Sequence, residues 1–397
     1  MGSGELALTG LRVIDCATLF AGPLVGTLLG DFGADVIKVE QPEGEGMRTM
    51  GTTASGESTW WALVSRNKRA VTLRLSTPEG ADVFRKLIAD VDVLIENFRP
   101  GTLERWGLAP ESLLELNPDL VILRVTGFGQ DGPYSQLPGY GTLAEAMSGF
   151  AQVNGWPDGP PTLPPLALGD SVAALAGCCA TMFALHWRDH GGRGQVIDLS
   201  ILEPLFWVLG PQASLYQQNG TVPGRQGNRI EHTALRNAFR TKDDRWVVTS
   251  ATTQNVAERL MGVIGRPELA EEEWFASHHG RLEHADELDA LLAEFIAART
   301  LDEVREAFAE GQAATAPIFT IADIMADPHY AARGTIVEVD HPTLGPLAMQ
   351  NMIARLLATP GRVKHPGPTL GEHNDEVYGE LGFDPERRAR LREQNVI

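Results

Sequence analysis

Short apolar runs at residues 11–15, 35–39, 69–73, 93–97 and 120–125 recur through the first third of the chain, with helical stretches at 22–32 and 78–91 between them. Each run has the length of a strand and reads as buried on both faces. Apolar strands alternating with helices commit a chain to a mostly parallel sheet covered on both sides, because parallel neighbours need a crossover between them. The second helix carries its own start signal, Thr77 as cap and Pro78 at the first position. Ligands of such sheets gather at the carboxyl ends of the strands.

With 397 residues there is room for two domains or for one large domain with an insertion. Residues 1–224 read as a large domain. Beyond about Gly220 a connector containing glycine and proline, 221–228, precedes the turn Lys242-Asp243-Asp244 and a strand at 246–250. Helical patterns follow at 253–264, 285–298 and 301–310. Residues 225–325 therefore read as a smaller α+β domain, and 326–397, with an apolar run at 334–339, as a segment returning to the first domain.

Charge and cysteine use narrow the function. Thirty-three basic residues against 52 acidic ones give a net charge of −19, which excludes a nucleic-acid footprint and requires any phosphorylated ligand to find a local basic cluster. Cys16, Cys178 and Cys179 form no paired framework and no CxxC spacing, as expected of a protein in a reducing cytoplasm. The opening Met1-Gly2-Ser3-Gly4-Glu5 lacks the basic and apolar segments of a signal peptide. The longest apolar run, 172–185, is interrupted by Gly177 and reads as too short to span a bilayer, so no membrane association is expected.

Two motifs fail on context. Gly127-Phe128-Gly129-Gln130-Asp131-Gly132 matches GxGxxG after a strand, but Pro133-Tyr134-Ser135 follows where a dinucleotide fingerprint must open a helix. His278, His279 and His284 do not fall on one helical face and read as solvated, so no metal site is expected. No GxSxG elbow occurs. The stretch Leu168-Gly169-Asp170-Ser171 is different: it sets one carboxylate where a loop becomes an apolar helix. Asp170 reads either as that helix's N-cap or as a carboxylate nucleophile held beside backbone donors.

Several segments together resemble the family III CoA-transferases, the group that includes formyl-CoA transferase, carnitine CoA-transferase and the α-methylacyl-CoA racemases. They are Leu11-Arg12-Val13-Ile14-Asp15, Ala21-Gly22-Pro23, the run from Phe32 to Glu40, Asn67-Lys68-Arg69, Glu96-Asn97-Phe98-Arg99-Pro100-Gly101, Gly169-Asp170-Ser171, Gly192-Arg193-Gly194-Gln195, Gly371-Glu372-His373 and Leu381-Gly382. The resemblance implies a Rossmann-like large CoA-binding domain built from both chain ends, a small domain between them, and a homodimer whose subunits interlock. It implies Asp170 as nucleophile, acylated by a thioester to an anhydride and then converted to an aspartyl-CoA thioester, with CoA and acyl-CoA as substrates and no prosthetic group. By position it carries CoA contacts to Phe20, Ala21, Leu73, Arg74, Asn97, Phe98, Arg99, Arg105, Gly139 and Tyr140. Lys38, Lys68, Arg69, Arg74, Arg99 and Arg105 are the cations available for the CoA phosphates, Arg105 on an expected helix start.

The chain also departs from the pattern. Gln41 stands at an often basic position, and Gly141 replaces the acidic residue of formyl-CoA transferase, which argues against a formyl/oxalate pairing. The glycine-rich loop of that enzyme's small domain is absent. Tyr140 occupies the position of the racemase histidine, and a phenol with an ordinary pKa of about 10 is a poor base, which favours transfer over racemisation. CoA binding without turnover is the third reading. Arg225, Arg229 and Arg236 read either as partners for a second carboxylate on the acceptor, pointing to a C4–C5 dicarboxylate with succinyl-CoA as donor, or as structural ion pairs.

Overall fold

A computed structural model describes residues 6–397; the expectation placed on residues 1–5 lies outside the described residues. The chain divides into two compact units, the first built from the residues up to Ala151, Leu163–Leu215 and Tyr330–Ile397, the second from Gln152–Thr162 and Tyr216–His329.

The first unit is organised by a six-stranded sheet, β1 (Arg12–Asp15), β2 (Asp35–Glu40), β3 (Lys68–Thr72), β4 (Val93–Glu96), β5 (Val121–Thr126) and β6 (Val196–Ser200). All neighbours are parallel and the order is β3-β2-β1-β4-β5-β6, so the direction of winding reverses between β1 and β4. That is the Rossmann order, with its ligand crevice at the reversal point. Alternate residues feed two separate cores, as the period of two demands. Ile14, Ile37, Val71, Leu94 and Ile122 pack on one face with Phe84, Leu87, Tyr378 and Phe383. Val13, Val36, Val93 and Val121 pack on the other with Val25, Leu29, Ala173 and Ala174.

Four helices matter for the site: α1 (Ala21–Asp31), α2 (Pro78–Ile88), α3 (Gly141–Met147) and α4 (Leu168–Asp189). The Thr77 hydroxyl caps α2 by accepting from the Gly80 N–H at 3.1 Å, as its sequence requires. The 22-residue α4 is longer than the apolar run suggested, because polar ends extend it, and by length and composition it reaches what crossing a membrane takes. In this unit Ala173, Ala174, Gly177, Thr181, Ala184 and Leu185 are buried. The last strand, β6, escaped the sequence reading. It is an edge strand whose first residues are exposed, so it lacks a continuous apolar run.

The carboxyl-terminal segment lies on β3. The buried Tyr378 hydroxyl donates to the Thr72 carbonyl at 2.6 Å, and Asn374 exchanges two hydrogen bonds with Thr72. An antiparallel hairpin precedes it, Ile336–His341 with Gly345–Gln350. The second unit holds the antiparallel sheet β7 (Arg236–Arg240), β8 (Trp246–Ser250) and β9 (Thr315–Pro317), with helices Gln254–Val263, Ala285–Ala297 and Leu301–Glu310 around a core of Val247, Leu260, Phe275, Leu292 and Phe308.

Candidate functional site

Two adjoining clefts open at the carboxyl ends of the parallel strands. One, of about 200 Å³, is lined by Phe20, Ala21, Asn97, Phe98, Arg99, Gly139, Tyr140 and Asp170 among others. The second, of about 350 Å³, is lined by Leu73, Arg74 and Phe98 together with Glu40, Gln41 and Trp106. Thr18, Leu19 and Phe98 belong to both walls, so the two clefts meet across them. Of Asp170 and the ten residues to which the resemblance carries CoA contacts, only Arg105 lies in neither. It is the last residue of a four-residue helix, Thr102–Arg105, and donates to the Thr102 hydroxyl at 2.8 Å. The expected helix start is corrected by Gly101, whose φ of +84° begins the turn just before Thr102, so Arg105 closes the helix instead of opening it.

Asp170 is not an N-cap. The helix begins two residues earlier at Leu168, with Ala167 as the cap residue, and Ser171 closes the turn by donating from its N–H and hydroxyl to the Ala167 carbonyl. Among the described residues nothing donates a hydrogen bond to the Asp170 carboxylate or pairs with it. Burial, and then the negative charge of Glu145, push its pKa up to about 6. A half-buried carboxylate with no partner retains full nucleophilic capacity, unlike one committed to a cap or a salt bridge.

Glycines bring backbone and carboxylate together. A Cβ on Gly141 would lie 2.2 Å from Asp170 Oδ2, so the carboxylate occupies the space a side chain at 141 would need. This gives a physical reason for the missing acidic residue there. Gly127 and Gly139 face each other so closely that a Cβ on either would fall within 2.5 Å of the other's Cα. The GxGxxG stretch thus opens with a glycine used for backbone packing, and no helix starts before Gly141.

Sequence reasoning passed over Glu145. It is 2% exposed on α3, and its Oε1 accepts the Gly169 N–H at 3.0 Å, which ties it to the first turn of the Asp170 helix. The available signal was a lone acid in the otherwise apolar Leu143-Ala144-Glu145-Ala146-Met147.

Half of the expected phosphate-binding cations are committed elsewhere. Lys38 and Lys68 are fully buried in ion pairs with Asp15, and Arg69 pairs with Asp35, Glu376 and Glu380. They lie in or beside strands whose neighbours supply carboxylates, so their charges serve the fold. Arg74 pairs with Glu43 at the edge of the larger cleft. Arg99 is exposed, lines the Asp170 cleft, and has no ion pair among the described residues.

In the second unit Arg229 pairs with Asp286 and Asp289 at 2.7 and 2.6 Å, which makes it a structural ion-pair residue. Arg225 donates to the carbonyls of Trp156 and Gln152 at 3.3 Å, and Arg236 to that of Asn228 at 2.6 Å. Neither has a carboxylate partner among the described residues. His279 and His284 lie against Glu283 and Glu287, and His284 stacks on Trp274.

An all-parallel Rossmann-order sheet with an unpaired carboxylate over its carboxyl edge defines an α/β protein built for chemistry at that edge. Residues 8–374 match the family model described as CoA-transferase family III. The succinyl-CoA–D-citramalate CoA-transferase of Chloroflexus aurantiacus is 41% identical over 98% of this chain and 98% of its own. The beta subunit of the succinyl-CoA–L-malate CoA-transferase from the same organism is 43% identical over 99% of this chain and 98% of its own. Among solved structures, a CAIB/BAIF family protein from Brucella suis is similar with a TM-score of 0.82 at 33% identity, over 95% of this chain and all of that one. The chain belongs to CoA-transferase family III.

Proposed function

We propose that this enzyme moves CoA from succinyl-CoA to a C4–C5 dicarboxylic acid, with Asp170 as the group that carries CoA between them. The observation that carries the reading is the partnerless Asp170 carboxylate in a cleft at the strand ends. The acids named for the two Chloroflexus relatives, citramalate and malate, support the acceptor class.

An Asp170 oxygen attacks the thioester carbon, the C–S bond breaks, and CoA thiolate leaves a mixed anhydride. The thiolate attacks the aspartyl carbonyl, releasing succinate and leaving an aspartyl-CoA thioester. The acceptor carboxylate attacks that carbonyl and expels the thiolate, which then attacks the acceptor's acyl carbon and frees Asp170. Every step passes between carboxylate and thiolate, so no net proton or electron is exchanged. Half-burial strips hydration from the attacking oxygen, and a bound acyl group is held within reach of it.

Phe20, Ala21, Asn97, Phe98, Arg99, Gly139 and Tyr140 flank the thioester end of CoA in this reading. Leu73 and Arg74 take the nucleotide end in the larger cleft, and Arg105 stands outside both. Of the three arginines read for a second acceptor carboxylate, Arg229 is committed to ion pairs within its own unit.

The test is a panel of mono- and dicarboxylic acids assayed with succinyl-CoA and acetyl-CoA. Malate, citramalate and their C4–C5 analogues are expected to be converted with kcat/KM roughly 100-fold above monocarboxylates, about what one lost charged contact is worth. Equal use of monocarboxylates overturns the acceptor assignment.

We further propose an interlocked homodimer. Phe183, Trp187, Trp207 and Leu357 are 73%, 60%, 81% and 93% exposed, large apolar side chains of the kind a subunit interface covers. Sedimentation equilibrium is expected to return twice the 43.0 kDa chain mass; a monomer at micromolar concentration counts against it.

A further inference from the structure

The two clefts meet at a short turn, Ala17-Thr18-Leu19, that leads from β1 into α1. Leu19 sits in the left-handed region with φ of +65°, a conformation a branched side chain avoids unless its surroundings enforce it. The enforcement is visible. The Ala17 N–H donates to Asp15 Oδ1 at 3.1 Å, and the Leu19 N–H to Glu45 Oε2 at 3.0 Å. Thr18 is held from both sides by Asn97, which accepts from its N–H at 2.8 Å and donates to its carbonyl at 2.7 Å. The Ala17 carbonyl accepts from the Lys38 ammonium.

Behind the turn the charges close on one another. Lys38 Nζ lies 3.9 Å from Asp15 Oδ1 and 3.5 Å from Glu45 Oε1. Lys68 Nζ binds Asp15 Oδ2 at 2.9 Å and the Pro23 carbonyl at 2.6 Å, which ties the first turn of α1 to the same cluster. Lys38, Lys68 and Asp15 have no exposed surface. Two ammonium groups and two carboxylates buried together do not stabilise a fold more than apolar residues of equal volume would. Their directed bonds do fix a backbone in one conformation.

We propose that Lys38, with Asp15, Lys68 and Glu45, is a positioning residue for acyl-CoA: the buried cluster holds the Ala17–Leu19 turn in its left-handed form as the wall shared by both clefts. The proposal rests on the reading that acyl-CoA occupies those clefts. Lys38 touches no ligand in this arrangement and acts through the turn.

The experiment compares wild type, Lys38→Met and Glu45→Gln for CoA affinity by calorimetry, for the KM-against-kcat split with succinyl-CoA, and for the fraction of chains that form the covalent adduct. Methionine keeps the unbranched apolar stem of Lys38, one atom shorter, but removes its charge and its bond to Ala17. Its Kd for CoA and KM for succinyl-CoA are expected to rise roughly tenfold or more, with the adduct-forming fraction unchanged. A purely structural role lowers that fraction and leaves Kd untouched. A folded Lys38→Met with wild-type Kd overturns the proposal. If that variant does not fold, Glu45→Gln decides: its single amide oxygen cannot both accept from Leu19 and face Lys38, so the cluster is broken there too and wild-type affinity is equally fatal. A wild-type enzyme that fails to bind CoA refutes the underlying reading instead.

Discussion

Asp170→Ala is expected to abolish CoA transfer, with a fall in kcat on the order of 10⁴-fold or more, because no other group in the cleft can carry CoA covalently. Arg99 and Asn97 are donors, and Tyr140 is a phenol 57% exposed. Glu145 is buried, accepts the Gly169 N–H and does not line the cleft. The alanine variant is expected to fold, since the carboxylate supports no hydrogen bond whose loss would loosen the first turn of α4. In the wild type, hydroxylamine added during incubation with succinyl-CoA is expected to convert residue 170 to a hydroxamate, read by peptide mass spectrometry. Undiminished exchange in the alanine variant, or a label at another residue, removes Asp170 from the mechanism.

The acid limb of the reaction is expected near pH 6. In the proposed mechanism Asp170 attacks only as the carboxylate, and burial with the Glu145 charge raises its pKa to about 6. The sign follows directly. Above pH 6 the nucleophile is ionised in the free enzyme; below it kcat/KM falls by about tenfold per pH unit, so roughly 100-fold is lost by pH 4. An ordinary aspartate, with a pKa of about 3.9, is still half ionised at that pH. Glu145→Gln separates the causes: the amide oxygen can still accept the Gly169 N–H while the charge is gone, so the limb moves to lower pH with the fold intact. A limb unmoved in this variant leaves burial as the sole cause, and a wild-type limb near pH 4 contradicts the raised pKa altogether.

How much of this was legible beforehand depends on the range of the interaction concerned. All five strands read from apolar runs are present, as is the Thr77–Pro78 helix start, because each is set by neighbours a few residues apart. The helices of the second unit agree to within a residue or two at their ends for the same reason. The helix start expected at Arg105 was displaced locally: one left-handed glycine moved a four-residue helix. Lys38 and Lys68 went wrong over distance. Each looked like a free cation at a strand end, and the carboxylate that claims both, Asp15, lies 23 and 53 positions away in the chain.

Periodicity and start signals in the linear chain were enough to dictate a parallel α/β sheet and to mark residue 170 as unusual, since strand burial and helix initiation are written within a few neighbouring positions. Whether that carboxylate caps its helix or stands free depended on where α4 begins. It also depended on Gly141 leaving room beside it and on Glu145 arriving from another helix. Those are contacts between segments distant in sequence. Only folding brings them within the few ångströms over which desolvation and charge act.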